Sequence, residues 1–336
     1  MGCPTDSTGN RVKSWKLLSL FAGCGGMDLG ATGGFTYLGK RYPRHPIEVV
    51  HASDIDGRAV KIYNDNFAHK AHVGDVRELD ADLLPKHDIL TGGFPCQSFS
   101  ISAQNPKRLG FKDERGQLFF EIKRILLARQ PRAFIAENVK GILSANSREA
   151  FPLILEEFES AGYFLKWSLL NASHFGVPQK RERVFIVGFR SRAAAERFEF
   201  PQPVSDKASP VLASVVEDDV DEEYYFSDKA VRGMKTTRNS RAMNKGRAQD
   251  LGKPCNTVST HLAKVSLNST DPVLRVGDGD RVFTPREVAR IQSFPDTFKL
   301  KGTKTASYFA LGNAVPPVLM WHVTNAVVGA LRPKLN

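Results

Sequence analysis

Residues 92–97 run Gly-Gly-Phe-Pro-Cys-Gln, and Cys96 is the side chain whose setting best suits nucleophilic chemistry. It stands behind a proline, just past Ile89-Leu90-Thr91, an apolar run with the character of a buried strand. A strand that opens into Gly-Gly is where an α/β protein presents reactive groups. A thiolate is the strongest nucleophile among the side chains, and only the ionised form attacks. A lone cysteine is equally a small buried hydrophobe, so the residues that accompany it along the chain carry the weight.

Glu137 closes another strand-like run, 133–136, and in a parallel sheet it falls on the same edge as Cys96. A carboxyl group there can exchange a proton or hydrogen-bond a ring nitrogen; it can also cap the helix that follows. Gln179-Lys180-Arg181-Glu182-Arg183 alternates in charge, and on one strand Arg181 and Arg183 face the same side. Two such cations can bind phosphate or orient a carboxylate. A solvated edge strand fits the same alternation.

A second group of residues suits a nucleoside ligand. Phe21-Ala22-Gly23-Cys24-Gly25-Gly26 joins a strand to a helix, where backbone N–H groups meet ligands of this kind. The dinucleotide fingerprint needs a third glycine at position 28, where Asp28 stands, so the NAD reading fails. Asp54, at the end of a second strand, can take both hydroxyls of a ribose, and Asp75, after a third, can accept from an adenine amino group. Either acid alone is also a helix cap or a loop residue. Together, at successive strand ends, they point to an adenosine ligand without a pyrophosphate.

The elements that must position these groups alternate. Strands are expected at 16–21, 48–53, before Gly74, before Gly92, at 133–136 and at 183–189. Helices are expected after Gly26, at 58–67 with Ala59, Ile62, Tyr63 and Phe67 on one face, at 118–129 and at 149–160. This βαβ rhythm implies a mostly parallel sheet. After Arg190 the rhythm stops. Residues 217–223 are nearly all acidic, and 229–253 carries Lys229, Arg232, Lys235, Arg238, Arg241, Lys245, Arg247 and Lys253 against the single acid Asp250. Thr284-Pro285-Arg286-Glu287 starts a helix again, and 316–331 is an apolar terminal helix. The expected organisation is a main domain of 1–190 with 303–336, a smaller irregular domain over 191–281, and a joining segment over 282–302.

Composition sets the outer limits. The 336 residues carry a formal net charge of +11, and the pI near 9.5 suits a polyanionic partner. No apolar run reaches the roughly 20 residues that span a membrane, and the first residues lack an apolar signal core, so a cytoplasmic location is expected. Cys3, Cys24, Cys96 and Cys255 are far apart and form neither a zinc site nor a disulfide framework, so no metal is expected.

Phe21–Gly26, Asp54, Gly74-Asp75, Gly93-Phe94-Pro95-Cys96-Gln97, Glu137-Asn138-Val139, Gln179–Arg183, Arg286-Glu287 through Gln292-Ser293-Phe294-Pro295, and Gly312-Asn313-Ala314-Val315 occur in one order. That ordered set resembles the DNA (cytosine-5) methyltransferases, most of all the bacterial modification enzymes, from about Leu17 to the terminal helix. The resemblance implies a Rossmann-like α/β fold of the SAM-dependent methyltransferase type, with a smaller target-recognition domain. It implies that Cys96 attacks C6 of a flipped-out cytosine, that Glu137 holds N3 and the exocyclic amine, and that Arg183 supports this grip with Arg181 nearby. S-adenosylmethionine is the implied cofactor, contacted by Phe21, Gly23, Gly25, Asp54, Ile55, Asp75, Leu118, Asn313 and Val315. The chain departs from the usual pattern at Asp54, where family members carry glutamate, and at Ile55, where many carry tryptophan.

Residues 98–115, rich in Ser, Gly and Asn with Lys107, Arg108, Lys112 and Arg115, suit the loop that base flipping requires. Double-stranded DNA is the implied partner, read by 191–281 through its basic cluster and Thr257-Val258. A restriction endonuclease acting on the same site is the implied companion, and a monomer suffices for one flipped base. Two rival readings differ in class. An RNA-modifying branch of the same set carries Cys-Phe-Thr, where this chain has Cys255-Asn256-Thr257. A non-catalytic binding protein would have no need to keep Cys96, Glu137 and Arg183 together.

Overall fold

The computed structural model describes residues 14–95, 118–204, 210–229, 247–262, 271–276 and 279–332. Cys96, the 98–115 segment and the basic positions from 232 to 245 lie outside these residues. The chain begins with β1 (Trp15–Leu20), α1 (Gly26–Thr32) and a small hairpin, β2 (Phe35–Tyr37) with β3 (Lys40–Tyr42). Then come β4 (Ile47–Asp54), α2 (Gly57–Asn66), β5 (His72–Val73), β6 (Ile89–Gly93), α3 (Leu118–Arg129), β7 (Ala133–Val139), α4 (Ala150–Ser160), β8 (Phe164–Asn171), β9 (Gln179–Lys180), β10 (Glu182–Phe189) and α5 (Arg192–Arg197).

Seven strands form the central sheet in the order β5-β4-β1-β6-β7-β10-β8. The first five are parallel, and β10 runs antiparallel between β7 and β8. The strands are apolar at successive positions because both faces are covered. Leu17, Ile89, Ile135 and Phe185 enter the core under α1 and the C-terminal helix. Leu18, Leu90, Phe134 and Val184 enter the one under α3 and α4. Of the two readings open for 179–183, the solvated edge strand does not hold for β10, which is interior to the sheet with a partner on each side.

The irregular part contains β11 (Ala248–Gln249), β12 (Cys255–Asn256), β13 (Val273–Val276) and β14 (Gly279–Arg281). β12 pairs with β9 in parallel, so this part is hydrogen-bonded directly to the approach to β10. α6 (Pro285–Ile291) follows, opened by a capping box in which Thr284 and Glu287 satisfy each other's backbone N–H. Glu287 is also ion-paired to the buried Arg281 at 2.6 Å, and it accepts from the Glu217 N–H at 2.9 Å. The acidic run is thereby anchored to α6. The chain ends with α7 (Lys304–Asn313) and α8 (Pro317–Leu331). By length and composition alone Lys304–Leu331 is long and apolar enough to cross a membrane, yet here it is mostly buried inside the protein. The break after α7 comes where Pro316 and Pro317 withdraw their N–H groups.

Candidate active site

Parallel register sets Gly93, the last residue of β6, beside Glu137 on β7. A Cβ at Gly93 would lie 3.0 Å from Glu137 Oε2, so the glycine leaves the carboxylate its space. Arg183 Nε reaches Glu137 Oε1 at 2.9 Å, and both side chains are largely buried. The pair is diagonal across the antiparallel ladder, since Arg183 sits opposite Val139 and Phe185 opposite Glu137. Burial pushes the Glu137 carboxyl up, opposed by the Arg183 and Arg181 guanidinium groups. Glu137 does not cap the turn that follows, because Val139 holds the cap position.

Asn138 belongs to the Glu137-Asn138-Val139 motif without a role of its own in the sequence reading, but the fold gives it work. Its Nδ2 donates to the Phe94 carbonyl at 3.2 Å, fastening the turn that leads into Cys96 to the strand carrying Glu137. Cys96 itself lies outside the described residues.

Arg181 does not share a strand with Arg183. It falls between β9 and β10, where its N–H donates to the Gln179 carbonyl at 3.0 Å. Its fully buried guanidinium donates to the carbonyl of Val258 at 3.2 Å and to that of Gly312 at 2.8 Å. That two-residue bond interrupts the strand at Arg181 and with it the expected alternation.

At the same carboxyl edge of the parallel strands, just after β1, Phe21, Gly23 and Gly25 all have positive φ, at 53°, 55° and 92°. A side chain at Gly25 would overlap the Phe67 ring, which demands glycine, whereas no atom lies within 4 Å of a Cβ built at Gly23. The Gly23 N–H donates to Asp54 Oδ2 and the Asp56 N–H to Asp54 Oδ1, both at 2.8 Å. Burial raises the Asp54 carboxyl, and these N–H groups oppose that rise. Ile55 is 69% exposed, an apolar surface beside an acid and an open glycine. An adenosine group fits that combination.

Asp75 caps the short turn Val76–Glu78 and pairs with Arg77 at 2.6 Å, which holds its carboxyl below the usual range. Leu118 is partly buried at the start of α3, Asn313 is exposed at the end of α7, and Val315 is buried. The Val315 carbonyl lies so close to Gly26 that a side chain there would collide with it. Beneath the loop, buried Asp28 accepts from the hydroxyls of Ser19 and Tyr63, each at 2.6 Å.

The basic cluster is divided. Arg247 is buried and donates to the Asp271 carbonyl at 3.0 Å, so it serves the irregular part's own packing. Lys253 is ion-paired to Asp250 at the surface. Among the described residues no group of three or more His, Cys, Asp or Glu is placed to hold a metal ion.

A mostly parallel seven-stranded sheet, a glycine turn after β1 and acids at the next strand ends define a methyltransferase-type α/β protein. Solved structures share this fold. The Entamoeba histolytica methyltransferase EhMeth superposes with a TM-score of 0.76 at 17% identity, covering 96% of this chain and 100% of that one. The S. pombe Dnmt2 methyltransferase gives 0.71 at 19% identity, covering 95% and 100%. The profile of the C-5 cytosine-specific DNA methylases matches residues 15–329, and the chain belongs to that family. The type II methyltransferase M1.ScrFI of Lactococcus lactis subsp. cremoris is 36% identical over 308 residues, 91% of this chain and 76% of that one. The type II methyltransferase M.NlaX of Neisseria lactamica is 36% identical over 306 residues, 90% and 92% of the two chains. The protein is a DNA (cytosine-5) methyltransferase.

Proposed function

We propose that this enzyme methylates C5 of a cytosine turned out of a specific double-stranded DNA sequence, using S-adenosylmethionine and a covalent bond from Cys96 Sγ to C6. The observation that carries the reading is the buried Glu137–Arg183 pair beside the turn that leads into Cys96. Attack by the thiolate at C6 moves an electron pair towards C5, which makes an otherwise poor carbon nucleophile reactive. Glu137 supports that shift by donating a proton to N3 and accepting from the exocyclic amine. Burial favours that protonated form, and the Arg183 and Arg181 guanidinium groups oppose it. Arg183 keeps the carboxyl aimed at the ring. Loss of the C5 proton then releases the Cys96 thiolate.

S-adenosylmethionine, when bound, supplies an electrophilic methyl group on its sulfonium. Phe21, Gly23, Gly25, Asp54, Ile55, Asp75, Leu118, Asn313 and Val315 would hold it, with Asp54 taking the ribose and Ile55 covering the adenine. Flipping the base costs a few kcal/mol, and the 98–115 segment carries the cations and small residues to stabilise the opened duplex. Residues 191–281 supply sequence recognition, 1–190 with 303–336 the chemistry, and 282–302 the join. The α5 stretch packs on the sheet through Ala194 and Ala195, so the DNA-reading surface begins beyond it. A cytoplasmic monomer meets these requirements, and a cognate endonuclease cutting the same sequence is its natural companion.

Expression in a host without cytosine methylation, followed by bisulfite sequencing, tests this directly. Protected cytosines at one short recurring sequence are expected, and none with Cys96→Ser, which should still bind duplex DNA. Undiminished protection by that variant would refute the nucleophile assignment.

A further inference from the structure

Three buried side chains outside the catalytic pair connect parts of the molecule that are remote in sequence. Gln179 and Gln292 are wholly buried. Gln179 Oε1 accepts from the Val258 N–H at 3.0 Å, and its Nε2 donates to Gln292 Oε1 at 2.7 Å. Gln292 Nε2 donates in turn to the Leu311 carbonyl and, at 3.3 Å, to that of Ala314. Arg181 closes the circuit by joining the Val258 carbonyl to the Gly312 carbonyl.

Both backbone polar groups of Val258 are therefore held by side chains that flank β10. Carbonyls 311, 312 and 314, on either side of Asn313, are held by the same set. The two segments also touch. A Cβ at Gly312 would come within 2.5 Å of the Ser259 carbonyl and the Thr260 N–H, so only glycine allows this approach. Thr257 Oγ1 adds a bond to the Lys180 carbonyl at 2.8 Å. The two buried amides and the two terminal nitrogens of Arg181 have fixed partners, and moving either segment leaves polar groups unpaired.

We infer that Gln179, Arg181 and Gln292 are positioning residues that lock the DNA-reading segment at 257–260 to the cofactor-side turn at 311–315, so that binding at one is felt at the other. This rests on the function proposed above. The link is made of side chains with fixed partners, and it passes between the Glu137–Arg183 pair and the recognition segment. Cofactor binding thereby settles the recognition segment. By reciprocity, DNA tightens the hold on the cofactor by the same factor.

Hydrogen exchange of the full-length enzyme, with and without S-adenosylhomocysteine, tests this without a substitution. The analogue is expected to slow exchange both at 311–315 and at 254–262. Slowing at 311–315 alone overturns the link and leaves the proposed function standing. No slowing at either place or at the glycine turn removes the cofactor reading, and the link falls with it.

A second measurement uses variants. In the wild type, unmethylated plasmid DNA should tighten S-adenosylhomocysteine binding on the order of tenfold. Arg181→Lys retains the charge but cannot bridge two carbonyls, and it should bring that factor close to one, as should Gln292→Met. A variant that weakens both ligands while the factor stays unchanged shows a merely structural role and overturns the inference.

Discussion

Asp54 and Asp75 each accept a hydrogen bond from a backbone N–H two residues further along, whereas Glu137 depends on a guanidinium from a different strand. The acids proposed to hold the cofactor are thus held largely by local turns, while the acid proposed for catalysis is held by tertiary contact. The consequence is energetic. A local cap near the surface can be lost with water as the substitute, but a buried carboxylate stripped of its partner has none. The difference also matches the tasks. Under the proposed function the first acids meet a ligand that comes and goes, while the Glu137 carboxyl must keep one position against the base.

The most damaging change should be Glu137→Gln. We expect methyl transfer to slow by about 10² to 10⁴, with S-adenosylhomocysteine affinity by calorimetry unchanged. Collapse of that affinity instead would move Glu137 to the cofactor edge and erase the contrast.

Stability should separate the two edges as well. Arg183→Met leaves Glu137 buried without its cation and should cost about 3–5 kcal/mol in urea unfolding. Asp75→Ala breaks a pair whose Arg77 side chain is 50% exposed, and should cost no more than about 1 kcal/mol. Equal losses would show that local and long-range partners carry the same weight here.

Asp28 is the part of the cofactor edge that is built like the catalytic one, held from β1 and α2 at once. Burial lifts its carboxyl from 3.8 to about 6 against the opposing Ser19 and Tyr63 hydroxyls. The unfolded chain releases this proton first. Asp28's contribution to stability is therefore complete below about pH 4 and lost as pH rises through 6. A rise of that size corresponds to about 3 kcal/mol. The stability of the wild type relative to Asp28→Asn should fall by that order between pH 4 and 7. Parallel stability curves for the two proteins would place the titration elsewhere.

Much of this molecule was legible in the chain itself. The helix expected at 118–129 is α3, residue for residue; the strands expected at 16–21, 48–53 and 183–189 and the helix at 149–160 fall within a residue of their observed bounds, and that at 133–136 runs three residues further. Runs such as 17–18 with Leu20, and 133–136, are apolar at successive positions or nearly so, which signals burial on both faces. The glycine turn is legible for a similar reason, since positive φ at Gly23 and Gly25 is a local demand that the residue type meets. So are the acids at the ends of β4 and β5, whose caps lie two residues away.

What the chain could not show is which strand lies beside which. The alternating charges over 179–183 suit an exposed edge equally well, and only the insertion of β10 between β7 and β8 brings Arg183 to Glu137. Arg181 finds its partners 77 and 131 residues further along the chain. Gln179 meets Gln292 across 113 residues. No periodicity or spacing rule reaches so far, because these bonds follow from how covered sheets and helices stack and not from the torsions of neighbouring residues. Local chemistry, read from residue types, determined the elements and the identity of the groups at their ends; the folded packing alone decided which of those groups meet.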